Sequence, residues 1–323
     1  MKQKLLLTIL FSSLLFTSCD TITGKKDDNS KSSLIAAAAV IATQRATSST
    51  QTINFRAVAG TEATDLNCTG TFKGHASIQA GNLDPMFHIS ESVNFQLIDL
   101  RFYIYDIKLV KADGTTSDFT LTPDGVWQSS RVALLDFENA TGTCAGGTTA
   151  TNTSIRGTYP AGSYTGIKFT VGVPFDLNHL DSTTQSAPLN NSAMFWSWQS
   201  GYKFMKFEFK INESTPTTNY VHIGSTGCPA ANATGSNAAC TYPNRSTFTV
   251  SKSSGNINFA SESVAIDVRA LLNGTNANAT ASGAAISCMP GNTNSVCQKI
   301  LTNIGITSGT GESSGTQTTF SIK

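Results

Sequence analysis

The chain has 323 residues, only 13% of them charged, and its formal net charge at pH 7 is +1. Because an average soluble protein has roughly 25% charged residues, uncharged Ser, Thr, Asn and Gly must cover much of this surface. A near-neutral chain excludes nucleic-acid binding through a basic stripe. The sequence also lacks a phosphate loop and a His-Glu-x-x-His motif, so we predict that the protein is not an enzyme.

The N-terminus has the pattern of an export signal. Lys2 and Lys4 precede the apolar stretch 5–16, and Cys19 follows small residues at its end. This pattern is typical of a secretory signal peptide, and the stretch is shorter than the ~20 apolar residues of a membrane span. Because the cysteine resembles that of a bacterial lipobox, we predict a lipoprotein signal peptide over 1–18 and lipidation of Cys19. The alternative is an ordinary signal peptide with a chance cysteine.

The remaining chain divides into a tether and one domain. Residues 19–50 are polar at first and then Ala-rich, without a sustained pattern, which indicates a flexible spacer behind the lipid. Several acyl chains hold a protein firmly at a membrane, so we expect an exported protein anchored to a bacterial membrane, at the outer membrane or the periplasmic face. Residues 51–323 show no internal repeat and no break in composition, which predicts a single domain.

Cysteine usage agrees with export. Apart from Cys19 the chain has six cysteines, an even number that suggests disulfides in an oxidising compartment. Six cysteines allow 15 connectivities. We favour two short-range pairs, which leave a third, and the three are Cys228–Cys240, Cys288–Cys297 and Cys68–Cys144. A cysteine-rich metal site is the alternative, but the chain has no Cys-x-x-Cys spacing.

Period-two patterns dominate the domain. Apolar and polar residues alternate in several segments that are separated by Gly, Asn and Pro. The segments are 53–57, 100–104, 167–173, 205–211, 264–268 and 317–322. The apolar phase changes near Asp106, which suggests a bulge or a strand buried on both faces. We therefore predict an all-β fold, an antiparallel sandwich or related barrel with long ordered loops and a few short helices, the best at 270–272 and 296–304.

The stretch 174–200 has no sustained period of either kind. So long a connection is usually functional or disordered, and its many large apolar side chains would be costly to leave in water. We therefore expect an ordered, packed loop. It contains Trp196 and Trp198, two of the three Trp residues, with His179 upstream; His222 follows downstream. Because histidine is the commonest metal-ligating side chain, this arrangement suggests a metal site.

Several ordered motifs resemble the MbnP-like family, the four-Cys copper-binding protein of a "metallo-mystery pair". The resemblance extends from about residue 52 to the C-terminus, and it departs from the family pattern mainly between Cys68 and Asp99. The motifs are 99–110, Trp127-Gln128, 132–138 with Cys144, Gly172-Val173-Pro174, Asn178-His179, 188–190, 194–198, 201–204, 222–228, Cys240 and Pro243-Asn244-Arg245.

The resemblance implies an exported, copper-binding protein whose partner is a di-haem enzyme of the cytochrome c peroxidase class. It also implies that the partner oxidises a Trp to kynurenine, near which copper binds with His ligands. The candidates for modification are Trp196 and Trp198 ahead of Trp127. The candidate ligands are His179, His222, His88, His75 and Met194, since imidazole suits copper and a thioether suits Cu(I).

Two other interpretations stay open. In the first, the chain is a lipid-anchored binding module whose aromatic loop stacks on a carbohydrate or protein through Trp196, Trp198 and Tyr202. A hard-cation site at Asp176, Asn178 and Asp181 is also conceivable because oxygen ligands suit Ca²⁺, although the Gly and Glu of an EF-hand loop are missing. Storage, sensing and delivery of copper are not distinguished by the sequence.

Overall fold

The structure is a computed structural model. It describes a set of ranges that fall within one compact unit, Thr47–Lys323. The ranges are 48–62, 64–73, 94–211, 218–275, 286–289 and 295–323. The predicted signal peptide, Cys19, His75 and His88 lie outside the described residues. Within these ranges no helix is long and apolar enough to cross a membrane.

Strands make up most of the regular structure, as the alternating segments predict. The strands are β1 (Ser48–Val58), β2 (Phe72–Lys73), β3 (Asn94–Val110), β4 (Thr116–Asp118), β5 (Thr120–Leu121), β6 (Val132–Asp136), β7 (Ser154–Pro160), β8 (Gly166–Val171), β9 (Phe195–Ser197), β10 (Gly201–Tyr202), β11 (Met205–Ile211), β12 (Thr218–Ile223), β13 (Ser246–Ser251), β14 (Ser263–Asp267), β15 (Ser287–Cys288) and β16 (Phe320–Ile322). The helices are α1 (Val268–Leu271) and α2 (Ser295–Ile304), with short 3₁₀ turns at Gly142–Cys144, Phe175–Leu177, Ser192–Met194 and Ala230–Thr234.

Two sheets face each other. The smaller has the order β16-β14-β1-β7-β5, and the larger runs β13-β8-β3-β11-β12-β15, with β2, β4 and β6 also paired to β3. Most neighbours are antiparallel, as predicted, whereas β1 with β14 and β12 with β15 are parallel. The long central strand β3 carries the predicted irregularity, since Asp106 has φ +49° and the pairing with β8 shifts there.

The core lies between the two sheets. The ring of Phe55 from the smaller sheet packs 6.4 Å from Phe102 and 6.0 Å from Phe169 of the larger sheet, in edge-to-face geometry that favours aromatic packing. The alternation on β11 is complete, with Met205, Phe207, Phe209 and Ile211 buried and the residues between them only partly so. The all-β sandwich prediction is therefore confirmed, and the edge strand at the C-terminus is β16.

Three disulfides join the cysteines in the predicted pairs. They are Cys68–Cys144, Cys228–Cys240 and Cys288–Cys297. The first closes a separation of 76 residues and ties the chain after β1 to the 3₁₀ turn beyond β6. The pairing that proximity in sequence favoured is confirmed.

Candidate metal centre at the aromatic loop

The outer face of the larger sheet is covered by the segment 174–204, which we call the aromatic loop. It is ordered and contains two 3₁₀ turns and the hairpin β9–β10. A second hydrophobic cluster, separate from the core between the sheets, holds it in place. The buried members are Tyr103, Val132, Leu134, Val173, Leu189, Met194, Tyr202 and Phe204.

Two tyrosine hydroxyls donate hydrogen bonds that hold the aromatic loop in place. Tyr103 on β3 donates to the carbonyl of Pro188 at 3.0 Å, and Tyr202 donates to the carbonyl of Leu189 at 2.6 Å. Their rings meet edge to face with centroids 5.9 Å apart. Because both phenols are fully buried, each needs such an acceptor. The predicted ligand Met194 is also fully buried in this cluster.

Trp196 forms one wall of an open pocket of about 570 Å³. Its indole lies directly over Gly224, where an added β-carbon would come within 2.6 Å of Cζ3 of the ring. Gly224 therefore makes room for Trp196 against the end of β12. The lining residues are Trp196, Gln199, Ser200, Ser225, Thr226, Gly227, Cys228 and Met289.

His222 stands beside Trp196, with ring centroids 6.5 Å apart. Its Nε2 lies 2.7 Å from Oε1 of Glu208 on the neighbouring strand. A carboxylate accepts, so this nitrogen carries a proton, and Nδ1 is the nitrogen left to bind a metal. Nδ1 is buried and has no hydrogen-bond partner among the residues that the structure describes. A histidine held by a carboxylate on one nitrogen and open on the other is the usual form of a metal ligand.

A row of charged side chains continues from His222 across the sheet. Asp136, Arg101, Lys206 and His222 are successive cross-strand partners on β6, β3, β11 and β12. Asp99 bridges the row, since Lys206 donates to Oδ2 of Asp99 at 2.6 Å and the guanidinium of Arg101 binds both carboxylate oxygens. The row connects the imidazole to a fixed ion network, which holds Glu208 and hence His222 in place.

At the far end of the row, the buried Asp136 is not fully compensated by positive charge. Asp136 is fully buried, and its Oδ1 accepts from the amide of Glu138, whereas Oδ2 has no partner within the described part of the chain. Burial raises the pKa of Asp136 to about 7; the charge of Arg101 opposes this rise and that of Glu138 adds to it. Asp136 is therefore close to half protonated near neutral pH.

His179, near the start of the aromatic loop, is held by hydrogen bonds on both ring nitrogens. Its Nδ1 lies 2.8 Å from the carbonyl of Trp198, which can only accept, so Nδ1 carries the proton and Nε2 has the lone pair. Nε2 faces the amide nitrogen of Asn178 at 3.1 Å and Sγ of Cys240 at 3.5 Å. Burial lowers the pKa of His179, and the hydrogen bond to Trp198 only partly offsets this. The imidazole is thus neutral at pH 7.

One group of metal-ligating side chains stands out in the described ranges: His179, Cys228 and Cys240, with potential donor atoms within 4.8 Å of one another. The two sulfurs are bonded to each other. As found, the group therefore offers one nitrogen donor and no thiolate, and the predicted role of His179 as a copper ligand stays a prediction.

The other candidate Trp residues have different surroundings. Trp198 is 38% exposed and its ring covers Gly235. Trp127 is half-buried against the second cluster, and its backbone amide donates to Oδ1 of Asp124 at 2.7 Å. Neither has a histidine ring contact like that between Trp196 and His222 in the part of the chain described here.

The three residues considered for a hard cation do not converge. Asp176 pairs with Arg131 at 2.6 Å on the surface. The side-chain Oδ1 of Asn178 accepts from the backbone amide of Tyr202, and Oδ1 of Asp181 accepts from the backbone amide of Thr183. Each oxygen donor thus serves its own local contact, and the hypothesis of a Ca²⁺ site gains no support.

Sequence reasoning missed the ion network. The alternation on β11 presents Lys206 and Glu208 as solvent-facing residues, but the structure leaves their side chains only 15% and 12% exposed. The available signal was the phase change near Asp106, for which a strand buried on both faces was one of the two expectations. Asp136, at the far end of the row, had no signal in the sequence beyond its place at the end of an apolar strand.

The fold and site together define a disulfide-bonded β-sandwich protein with a histidine- and tryptophan-bearing loop on one sheet. A profile of the MbnP family matches residues 48–290. The chain belongs to the MbnP family, as the sequence motifs indicated. Its structure is similar to that of MbnP from Methylosinus trichosporium, with a TM-score of 0.64 and 25% identity over 85% of this chain and 98% of the other. No curated protein sequence matches the chain. Family membership supports a copper-associated, methanobactin-related protein.

Proposed function

We propose that this protein binds copper at the cell envelope, at a site centred on His222 and Trp196. The observation that carries the proposal is the buried, unpartnered Nδ1 of His222, within the described ranges, beside an indole ring. Neutral imidazole is a good copper ligand. Glu208 fixes the orientation of the ring and raises its basicity as a ligand. The residues therefore fit a bound copper ion.

A modified Trp196 would complete the site. An indole is a poor ligand, whereas its oxidation to kynurenine opens the ring and supplies an aniline nitrogen and a carbonyl. Trp196 is the preferred candidate because it lines an open pocket and also lies beside His222. We infer that a di-haem partner is the oxidant, as the family resemblance implies, and that His75 or His88 supplies a further ligand.

Peptide mass spectrometry and copper analysis of protein purified from its native host test this proposal. We expect kynurenine on the peptide with Trp196 and one copper per chain. Trp196→Phe should lose the copper, whereas the matched variants Trp198→Phe and Trp127→Phe should keep it. Copper retained by Trp196→Phe at the level of the native protein would contradict the assignment.

The histidine is tested separately. His222→Ala removes the donor atom and should abolish copper binding, while Glu208→Gln keeps a hydrogen-bond partner for the ring without the negative charge. Mutation of such a partner typically costs 10–100-fold in metal affinity, and we expect a loss in this range for Glu208→Gln because the negative charge that raises the basicity of the ring is gone. An unchanged affinity in both variants would exclude His222 as a ligand.

The membrane anchor is a separate part of the proposal. Triacylation of Cys19 would hold the domain at a bacterial membrane behind the tether. Native protein should enter the detergent phase on phase separation, and Cys19→Ala should not. Recovery of both forms in the aqueous phase would contradict lipid anchoring while leaving the copper proposal untouched.

A second function is favoured by the pocket itself. The partly exposed indole of Trp196, next to Ser200, Ser225 and Thr226, suits a sugar or a peptide, since aromatic rings stack on ligands and hydroxyls orient them. Protein that contains neither kynurenine nor copper, even from copper-rich cells, would favour this binding module. Glycan and peptide arrays would then identify its ligand.

A further inference from the structure

We propose that the Cys228–Cys240 disulfide masks a second, thiolate-based metal site that also uses His179. Reduction of this bridge would create a ligand set of two sulfurs and one imidazole nitrogen. Thiolate ligands select Cu(I) and Zn²⁺, and we assign the site to Cu(I). It is distinct from the site at His222 and does not depend on it.

The geometry around His179 already suits a bound metal ion. Its Nε2 lone pair already faces Sγ of Cys240 at 3.5 Å. Metal bonds of ~2.0 Å to nitrogen and ~2.3 Å to sulfur, meeting near the tetrahedral angle, place the two donor atoms roughly 3.5 Å apart. The present separation therefore already matches that of two ligands on one ion.

The hydrogen bond to Nδ1 already orients the imidazole of His179 for metal binding. The carbonyl of Trp198 holds the proton on Nδ1, as a second partner does for most ligating histidines. Among the described residues, the contact that competes for Nε2 is the side-chain amide nitrogen of Asn178 at 3.1 Å, which must move away when a metal binds. Once the sulfurs are thiolates, they bring the negative charge that a cation requires.

The Cys228–Cys240 bridge is also the most accessible of the three disulfides. Cys228 and Cys240 are half-buried, and Cys228 lines the open pocket beside Trp196. The cysteines of the other two disulfides are at most 1% exposed. A dissolved reductant should therefore reach this bridge first, since exchange needs access to a sulfur.

The opening step balances with a dithiol as the reductant. One thiolate of the dithiol attacks Sγ of Cys228, the bond to Sγ of Cys240 breaks, and Cys240 leaves as a thiolate. The second thiol of the dithiol then displaces Cys228, so the dithiol ends as its own disulfide and has supplied two electrons. Binding of the metal keeps both cysteines deprotonated and releases their protons.

The test uses the full-length protein before and after mild treatment with dithiothreitol, without denaturant. Alkylation and peptide mapping should find two new thiols, at Cys228 and Cys240. Competition with a chromogenic Cu(I) chelator should then show one additional Cu(I) per chain, accompanied by an ultraviolet thiolate-to-copper charge-transfer band. The proposed copper at His222 is counted in the untreated protein, so the two proposals fail independently.

Variants separate this site from thiols in general. The double variant Cys228→Ser/Cys240→Ser should lose the additional Cu(I), whereas Cys288→Ser/Cys297→Ser removes a comparable short bridge and should keep it. His179→Ala should weaken the additional Cu(I) by at least tenfold.

Three results would overturn the proposal. One is a bridge that resists the dithiol while the protein stays folded. Another is thiols that appear without additional Cu(I). The last is additional Cu(I) with the same affinity in His179→Ala, which would mean that any pair of reduced cysteines suffices.

Discussion

The buried carboxyl of Asp136 makes the stability of the domain depend on pH near neutrality. Its pKa rises from the ordinary 3.8 to about 7 on folding, so the folded state binds more protons than the unfolded state between these values. The resulting stabilisation is complete below about pH 4 and is lost as the pH rises through 7. At ~1.36 kcal/mol for each unit of pKa, it amounts to about 4 kcal/mol, of which about 3 kcal/mol is lost between pH 5 and pH 8.

The substitution Asp136→Asn removes the titration and keeps the acceptor for the amide of Glu138. We expect the variant to gain stability relative to the native protein as the pH rises, with a difference that grows by about 3 kcal/mol from pH 5 to pH 8. Urea unfolding followed by tryptophan fluorescence measures this difference at each pH. Asp118→Asn, at a side chain that is 78% exposed, is the matched control and should give a nearly constant offset. A difference for Asp136→Asn that is equally constant would refute the reasoning.

Two further predictions concern packing and cross-linking. Gly224→Ala places a β-carbon 2.6 Å from Trp196 and 2.5 Å from the carbonyl oxygen of Tyr202. We therefore expect the free energy of unfolding to fall by about 1–3 kcal/mol and the tryptophan emission spectrum to change. The control Gly146→Ala, with open space around it, should change neither. Replacing both Cys68 and Cys144 by Ala opens a 76-residue loop and should cost about 4.5 kcal/mol against about 3 for the 12-residue bridge. Equal losses in denaturant unfolding would show that loop entropy does not govern these disulfides.

The strands and disulfides were predictable because local signals determine them. Alternation of apolar residues needs only the two-residue period of a strand, and the paired cysteines are close in sequence or are left by elimination. The bulge at Asp106 was predictable for the same reason, since a change of phase is visible in the sequence. The parallel pairing of β1 with β14 was not, because it joins segments about 200 residues apart and nothing local encodes its direction.

The candidate site was predictable only in part. Trp196 and His222 were recognisable from their rarity and their family motifs, but their contact depends on the close approach of the loop to Gly224. The charge row could not be foreseen, because the alternation on β11 is the same whether its polar face meets water or a covering loop. The proximity of His179 to Cys240 likewise arises from the path of two loops that share no sequence pattern.

The hydrogen bonds that hold the aromatic loop in place affect how this surface can evolve. Tyr103 and Tyr202 bind the carbonyls of Pro188 and Leu189, and a carbonyl is present whichever side chain the residue bears. The attachment therefore tolerates substitution within the loop, while the two tyrosines must remain. Relatives could exchange the residues around the pocket, and with them the ligand or the metal, on a support that stays constant.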